Sequence, residues 1–95
     1  MVMADESAAK KEMKKWVVYV VECADGSLYT GITNNLPQRL VAHDAGRGAK
    51  YTKPRRPVQL RHAEYRRTKG AALKREAAIK ALTRAEKLAL IAQKV

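Results

Sequence analysis

Phenylalanine is absent from this chain, and four tyrosines and one tryptophan are all the aromatic residues it has. A core with so few rings must rest on Val, Ile, Leu and Ala, so two tyrosines on one short segment call for an explanation. Cysteine is scarce as well. Cys23 alone excludes an internal disulfide and a cysteine-rich zinc site, and at the end of an apolar run it reads as a buried structural thiol. No stretch approaches the roughly 20 apolar residues that a membrane-spanning helix needs. The opening MVMADESAAKKEMKKW carries charges where a signal peptide has its apolar run, so a cytoplasmic protein with no membrane partner is expected. Acidic residues are few, 9 against 20 Lys and Arg, which leaves a formal charge of +11. On so small a surface that excess attracts polyanions. Ninety-five residues suffice for one modest core.

Residues 1–15 are polar, without a clear apolar stripe, and read as a flexible charged tail; residues 16–95 read as the folded domain. Trp16 to Cys23 is nearly continuous Val and Tyr, the pattern of a strand covered on both faces and so central in its sheet. Ala24-Asp25-Gly26-Ser27 is a turn, and Leu28 to Thr33 returns as a second strand. Asn34 or Asn35 caps a helix with Pro37 in its first turn, and Gly46 stops it. GRGAKYTKPRRP, residues 46–57, reads as a surface loop. Val58 to Tyr65 alternates as a third strand. A second helix spans about Gly70 to Leu82, with Ala72, Leu73, Ile79 and Leu82 inward. Thr83-Arg84-Ala85-Glu86 has capping-box spacing for a third helix, with Leu88, Ile91 and Val95 on its inner face. The order β-β-α-β-α-α implies a small α+β fold, a three-stranded antiparallel sheet flanked by helices.

The hairpin admits two registers. A two-residue Asp25-Gly26 turn pairs Glu22 with Tyr29 and puts Tyr19 and Tyr29 on opposite faces. A three-residue loop, with Gly26 left-handed, pairs Val21 with Tyr29 and Tyr19 with Gly31. Only the second register lets both phenols serve one site.

Glu76 falls within the apolar stripe of the second helix. An inward carboxylate needs a cation, a metal or a water-open cavity; a boundary glutamate paired with a nearby Arg satisfies the spacing equally well. Arg39 and His43, four apart, share a helix face that suits a phosphate, or else a solvated surface. His62, among charged neighbours, reads as surface. Lys50, Tyr51, Lys53, Arg55 and Arg56 mix cations with a ring in one loop, a pattern that grips a nucleic-acid backbone.

The order of these residues is more specific than any one of them. Tyr19, then Tyr29-Thr30-Gly31, then Arg39 and His43, then Glu76 resembles the GIY-YIG nuclease superfamily, in particular its small stand-alone bacterial members. "VVY" at 17–19 stands where that family has G-I-Y, and "YTG" at 29–31 where it has Y-I-G. The stretches CADGSLYTGIT, GAKYT, RRPV and ALKREAAIKALTRAEKLAL look like the small members in particular. The resemblance implies a GIY-YIG endonuclease-like fold and a metal-dependent phosphodiesterase. By position, Tyr19 and Tyr29 correspond to the motif tyrosines, Arg39 to the catalytic arginine, His43 to a helix position that often holds His or Tyr, and Glu76 to the metal-binding glutamate. Gly31 permits close backbone approach beside the site.

Mg²⁺ or Mn²⁺ is the implied cofactor, DNA the implied partner, and a monomer in the bacterial cytosol or nucleoid the implied setting, with no small-molecule cofactor. The chain lacks the lysine that repair-type relatives carry soon after Y-I-G, where Ile32 and Thr33 stand, and has no match for the late asparagine of larger members. A basic nucleic-acid-binding module with little or no cleavage is the alternative that the charge supports.

Overall fold

The computed structural model describes residues 15–93. The expected tail, up to residue 14, and the inward Val95 lie outside the described residues. Strands β1 (Trp16–Glu22) and β2 (Leu28–Thr33) are followed by helix α1 (Leu36–Asp44), a 3₁₀ turn at Lys53–Arg55, strand β3 (Gln59–Arg66), and helices α2 (Lys69–Lys80) and α3 (Arg84–Ala92). The sheet is antiparallel in the order β2-β1-β3, so β1 is central. This is the expected α+β fold, with the 3₁₀ turn added inside the basic loop.

The unbroken apolar run of β1 is explained by cover on both faces. On one face Val18 and Val20 meet Ala72 and Ile79 of α2, with Leu90 and Ile91 of α3 against them. On the other, Val17, Tyr19 and Val21 meet Leu36 and Leu40 of α1, Val58 and Ala63. Each large apolar side chain buried in this way contributes about 1.5–3 kcal/mol. Thr83 and Glu86 form the expected capping box at α3, their side chains bonding each other's backbone N–H at 3.1 and 2.8 Å.

Four expectations fail. Leu73 and Leu88, assigned inward, are 45% and 44% exposed. The apolar stripes turn a little further round each helix, so that Ala72 and Ile79, and Leu90 and Ile91, reach the sheet. Leu60, which the alternation of Val58 to Tyr65 places inward with Val58, is also exposed, beside the bulge that shifts the register between Val20 and Val21. His62, assigned to the surface, is half-buried and lies 2.7 Å from Glu64.

Glu64 anchors β3 to α2. Arg75 of α2 grips its carboxylate with two bonds of 2.7 and 2.9 Å, and Arg66 adds one of 2.9 Å. With its side chain 16% exposed, these partners outweigh desolvation: the Arg75 bonds first, then His62, hold Glu64 down at about 2 against an ordinary 4.5. A carboxyl depressed on folding stabilises the protein above its unfolded value, and that contribution drains away as pH falls from about 4.5 towards 2. Its size is on the order of 2–3 kcal/mol. Glu64→Gln is expected to lower stability at pH 7 by about that amount and to converge on wild type only as pH falls to about 2, as urea unfolding across a pH series will show.

Candidate active site

The hairpin adopts the register that places both phenols on one face. Val21 pairs with Tyr29 and Tyr19 with Gly31; Gly26 is left-handed at φ +85°, and Cys23 N–H donates to Ser27 O at 2.8 Å. The Tyr19 and Tyr29 rings lie 6.5 Å apart. Tyr19 crosses directly over Gly31 of the edge strand, where a Cβ would stand 2.6 Å from its Oη. Side chains cannot approach that closely, so Gly31 is what allows the ring its position.

Helix α1 delivers the next two groups. Asn35 Oδ1 caps it by accepting from Gln38 N–H, Pro37 sits in the first turn, and the four-residue spacing turns Arg39 and His43 to the same side. Arg39 Nε–H donates to Tyr19 Oη at 3.2 Å, and Tyr19 Oη lies 2.9 Å from His43 Nε2. His43 is fully buried, edge-on to both tyrosine rings at 5.8 and 5.5 Å. Its other nitrogen, Nδ1, is 2.8 Å from Thr52 Oγ1, which in turn is 3.2 Å from Ala49 O.

Counting donors fixes the direction of this chain. If the Thr52 hydroxyl donates to Ala49 O, His43 Nδ1–H donates to Thr52, bare Nε2 accepts from Tyr19 O–H, and Tyr19 accepts from Arg39. Every buried proton then has an acceptor. Reversing the tautomer leaves Tyr19 O–H, in a fully buried residue, with none, at a cost of about 1–3 kcal/mol. His43 is therefore the Nδ1–H tautomer.

Charge and burial tune each member. Burial raises Tyr19 above the ordinary phenol value, the Arg39 hydrogen bond and charge work against that rise, and the charge of Glu76 adds to it. Burial, then the charge of Arg39, pushes His43 below the ordinary imidazole value, so it stays neutral at pH 7. The Tyr19 bond comes first among the effects that hold Arg39 protonated.

Glu76 belongs to α2, on the other face of the sheet, yet its field reaches the Tyr19 hydroxyl. Its side chain is 17% exposed and pairs with Lys80, one turn on, at 3.2 Å. The Arg partner that spacing allowed is not the one found, because Arg75 is bound to Glu64. Among the described residues no three His, Cys, Asp or Glu side chains cluster as a metal cage would require. One lone carboxylate suits Mg²⁺, which keeps several waters and takes the rest of its oxygens from a phosphate.

The basic loop divides. Arg55 donates to Asp25 at 3.1 Å and to Tyr51 O at 2.7 Å and lies 4.0 Å from the centre of the Tyr51 ring, which stacks on Tyr29. Arg56 donates to Lys53 O and Asp44 O. Both guanidiniums tie the loop to the hairpin and α1, while Lys50 and Lys53 are exposed. Sequence reasoning passed over Thr52 and Gly48. Gly48 lies so close to His43 that a Cβ would overlap Nδ1, Cγ and Cα. The only signal was their place in GRGAKYT, a loop of glycines whose one threonine is fully buried.

The two tyrosines on one face of the sheet edge, the arginine and histidine of the next helix and the helical glutamate all fall within residues 15–89, which match the model of the GIY-YIG catalytic domain. The chain belongs to the GIY-YIG family and, within it, groups with the UPF0213 proteins. It is 52% identical over 81 residues to a UPF0213 protein of Staphylococcus saprophyticus, spanning 85% of this chain and 99% of that one. It is 55% identical over 75 residues to one of Natronomonas pharaonis, spanning 79% and 88%. The solution structure of a UPF0213 protein from Bacillus halodurans superposes with a TM-score of 0.56 at 39% identity, covering 84% of this chain and 85% of that one. That of a protein from E. faecalis gives 0.57 at 44% identity, covering 81% and 83%.

Proposed function

We propose that this GIY-YIG domain is a metal-dependent endonuclease hydrolysing DNA phosphodiester bonds, structure-specific and serving repair or recombination, acting as a cytoplasmic monomer with Mg²⁺ or Mn²⁺ held by Glu76. The single observation carrying this reading is the directed chain from Arg39 through Tyr19, His43 and Thr52. Hydrolysis needs a proton removed from water and charge offset on the phosphate. The Tyr19 oxygen accepts a bond from Arg39, and the lone pair freed when Arg39 turns to the phosphate is the one offered to water. When it takes the proton of that water, its own proton passes to His43 Nε2, and the imidazolium so formed keeps its Nδ1–H on Thr52.

Arg39, held beside Tyr19 and Tyr29, offsets charge on the non-bridging oxygens. Bound at Glu76, the cation would supply Lewis-acid polarisation of the phosphate. Tyr29, its ring 6.5 Å from that of Tyr19 on the same face, orients water or phosphate. Lys50 and Lys53 hold the backbone electrostatically, on a loop shaped by Arg55, Arg56 and Tyr51.

One observation favours the rival, a basic nucleic-acid-binding module: Tyr19 is completely buried. Its hydroxyl meets water only when Arg39 swings from it to the phosphate. The deciding experiment incubates the protein with flapped, branched, nicked and linear DNA under Mg²⁺ or Mn²⁺. Wild type is expected to cut at least one. Tyr19→Phe, which keeps the ring over Gly31, is expected to be slower by about 100-fold or more with DNA affinity within about twofold. No cutting of any substrate by wild type leaves the binding module as the answer.

A further inference from the structure

We infer that Lys80 and Lys87 build a second anion site, one that holds a DNA phosphate flanking the phosphodiester at Tyr19; the identity of that neighbour rests on the endonuclease reading. Beside Tyr29 the surface opens into a hollow of about 260 Å³ whose walls are Leu28, Tyr29 and Thr30 of the edge strand, Tyr51 of the basic loop, Lys80 at the end of α2 and Lys87 of α3. The elbow between α2 and α3 thus brings two ammonium groups to one depression. One carboxylate answers them: Glu76, 3.2 Å from Lys80. Lys87 is half-buried and, among the described residues, has no carboxylate partner. Two lysines lining one hollow with a single carboxylate to answer them leave it an excess of positive charge, and that excess attracts an anion.

The same arrangement explains why the anion is a neighbour of the reacting phosphate. Tyr29 forms the shared wall, its ring 6.5 Å from Tyr19 on one side and 6.0 Å from Tyr51 on the other. With only the Tyr29 ring between the two positions, one DNA strand can place the reacting phosphate at the first and a neighbouring phosphate at the second. Lys80 links the two positions. While Glu76 is its partner, much of its charge is answered. When a divalent cation takes Glu76, that ammonium is released beside Lys87, and the hollow gains the positive charge that grips the flanking phosphate. Metal and DNA thereby favour each other's binding through one side chain, a reciprocal coupling.

The test measures binding of a short DNA duplex across a salt series, with Ca²⁺ present so that binding is read without turnover, for Lys80→Gln, Lys87→Gln and the double variant. Each single change is expected to weaken binding roughly fivefold to tenfold at 100 mM salt and to lower the log–log salt slope by about 0.9, the double by about 1.8. Lys87→Arg is expected to keep the wild-type slope. Omitting Ca²⁺ should shrink the effect of Lys80→Gln more than that of Lys87→Gln. Thermal melting of each variant separates loss of fold from loss of contact. A double variant that is folded and keeps the wild-type slope overturns the site, whatever wild type does to DNA. A lowered slope in a protein that cuts nothing keeps the site and removes the nuclease.

Discussion

Glu76→Gln is expected to abolish cleavage, a loss of at least about 100-fold, while melting temperature stays close to wild type and metal-free DNA affinity rises, because Lys80 loses its partner. Magnitudes separate this from a structural role. The partner of Glu76 is Lys80, one helical turn on and 53% exposed, and such pairs contribute about 0.3–0.5 kcal/mol. Removing the carboxylate therefore costs the fold little, unlike Glu64, whose bidentate bond to Arg75 joins strand to helix. Nor can the loss come through Tyr19: the negative charge of Glu76 raises the Tyr19 pKa, so the amide makes that phenol a slightly better acid. What remains is the cation, which a neutral amide does not hold. Calorimetric titration with Mn²⁺ should show binding in wild type and none in the variant. Retained cleavage, or Mn²⁺ binding undiminished in the variant, would place the cation elsewhere.

How far the sequence led depended on whether the information lay close together along the chain. The opening hairpin was legible down to two registers, because period and turn residues are local; the pairing of Tyr19 with Gly31 decides between them, and a one-residue slip would have reversed every side chain. The capping box at Thr83 and Glu86 and the Asn35 cap were legible for the same local reason. Long-range choices were less so. Glu76 and Glu64 both had an arginine within reach, and which carboxylate took Arg75 depended on how α2 lies on β3. Leu73 and Leu88 were misplaced because a rotation of a few tens of degrees about a short helix exchanges an inward residue for an exposed one.

In the basic loop the internal partners were the illegible part: the Arg55 and Arg56 guanidiniums close bonds to Asp25 and to the carbonyls of Tyr51, Lys53 and Asp44. Charge along the sequence counts cations without saying which are already answered. Thr52 was invisible because nothing around a threonine in a loop marks it as the partner of a histidine nine residues earlier.

Thr52→Val, which keeps the shape and deletes the hydroxyl, is expected to break the direction of the proton chain. The His43 Nδ1–H would lose its acceptor inside a fully buried site, at a cost of about 1–3 kcal/mol. Moving that proton to Nε2 relieves the loss at Nδ1 but leaves the Tyr19 O–H without an acceptor, at a similar cost, so neither tautomer is favoured strongly. Nitrogen-15 NMR at pH 7.5 reads this directly, because burial and Arg39 keep His43 neutral there. Wild type is expected to show a protonated Nδ1 and a bare Nε2, Thr52→Val a mixture of the two tautomers, and Thr52→Ser the wild-type pattern. Cleavage should follow the tautomer rather than the melting temperature, falling by roughly 10- to 100-fold in the valine variant and returning in the serine one. The NMR measurement stands whether or not a substrate has been found. If wild-type His43 carries its proton on Nε2, the chain runs the other way and Tyr19 cannot hand its proton to His43.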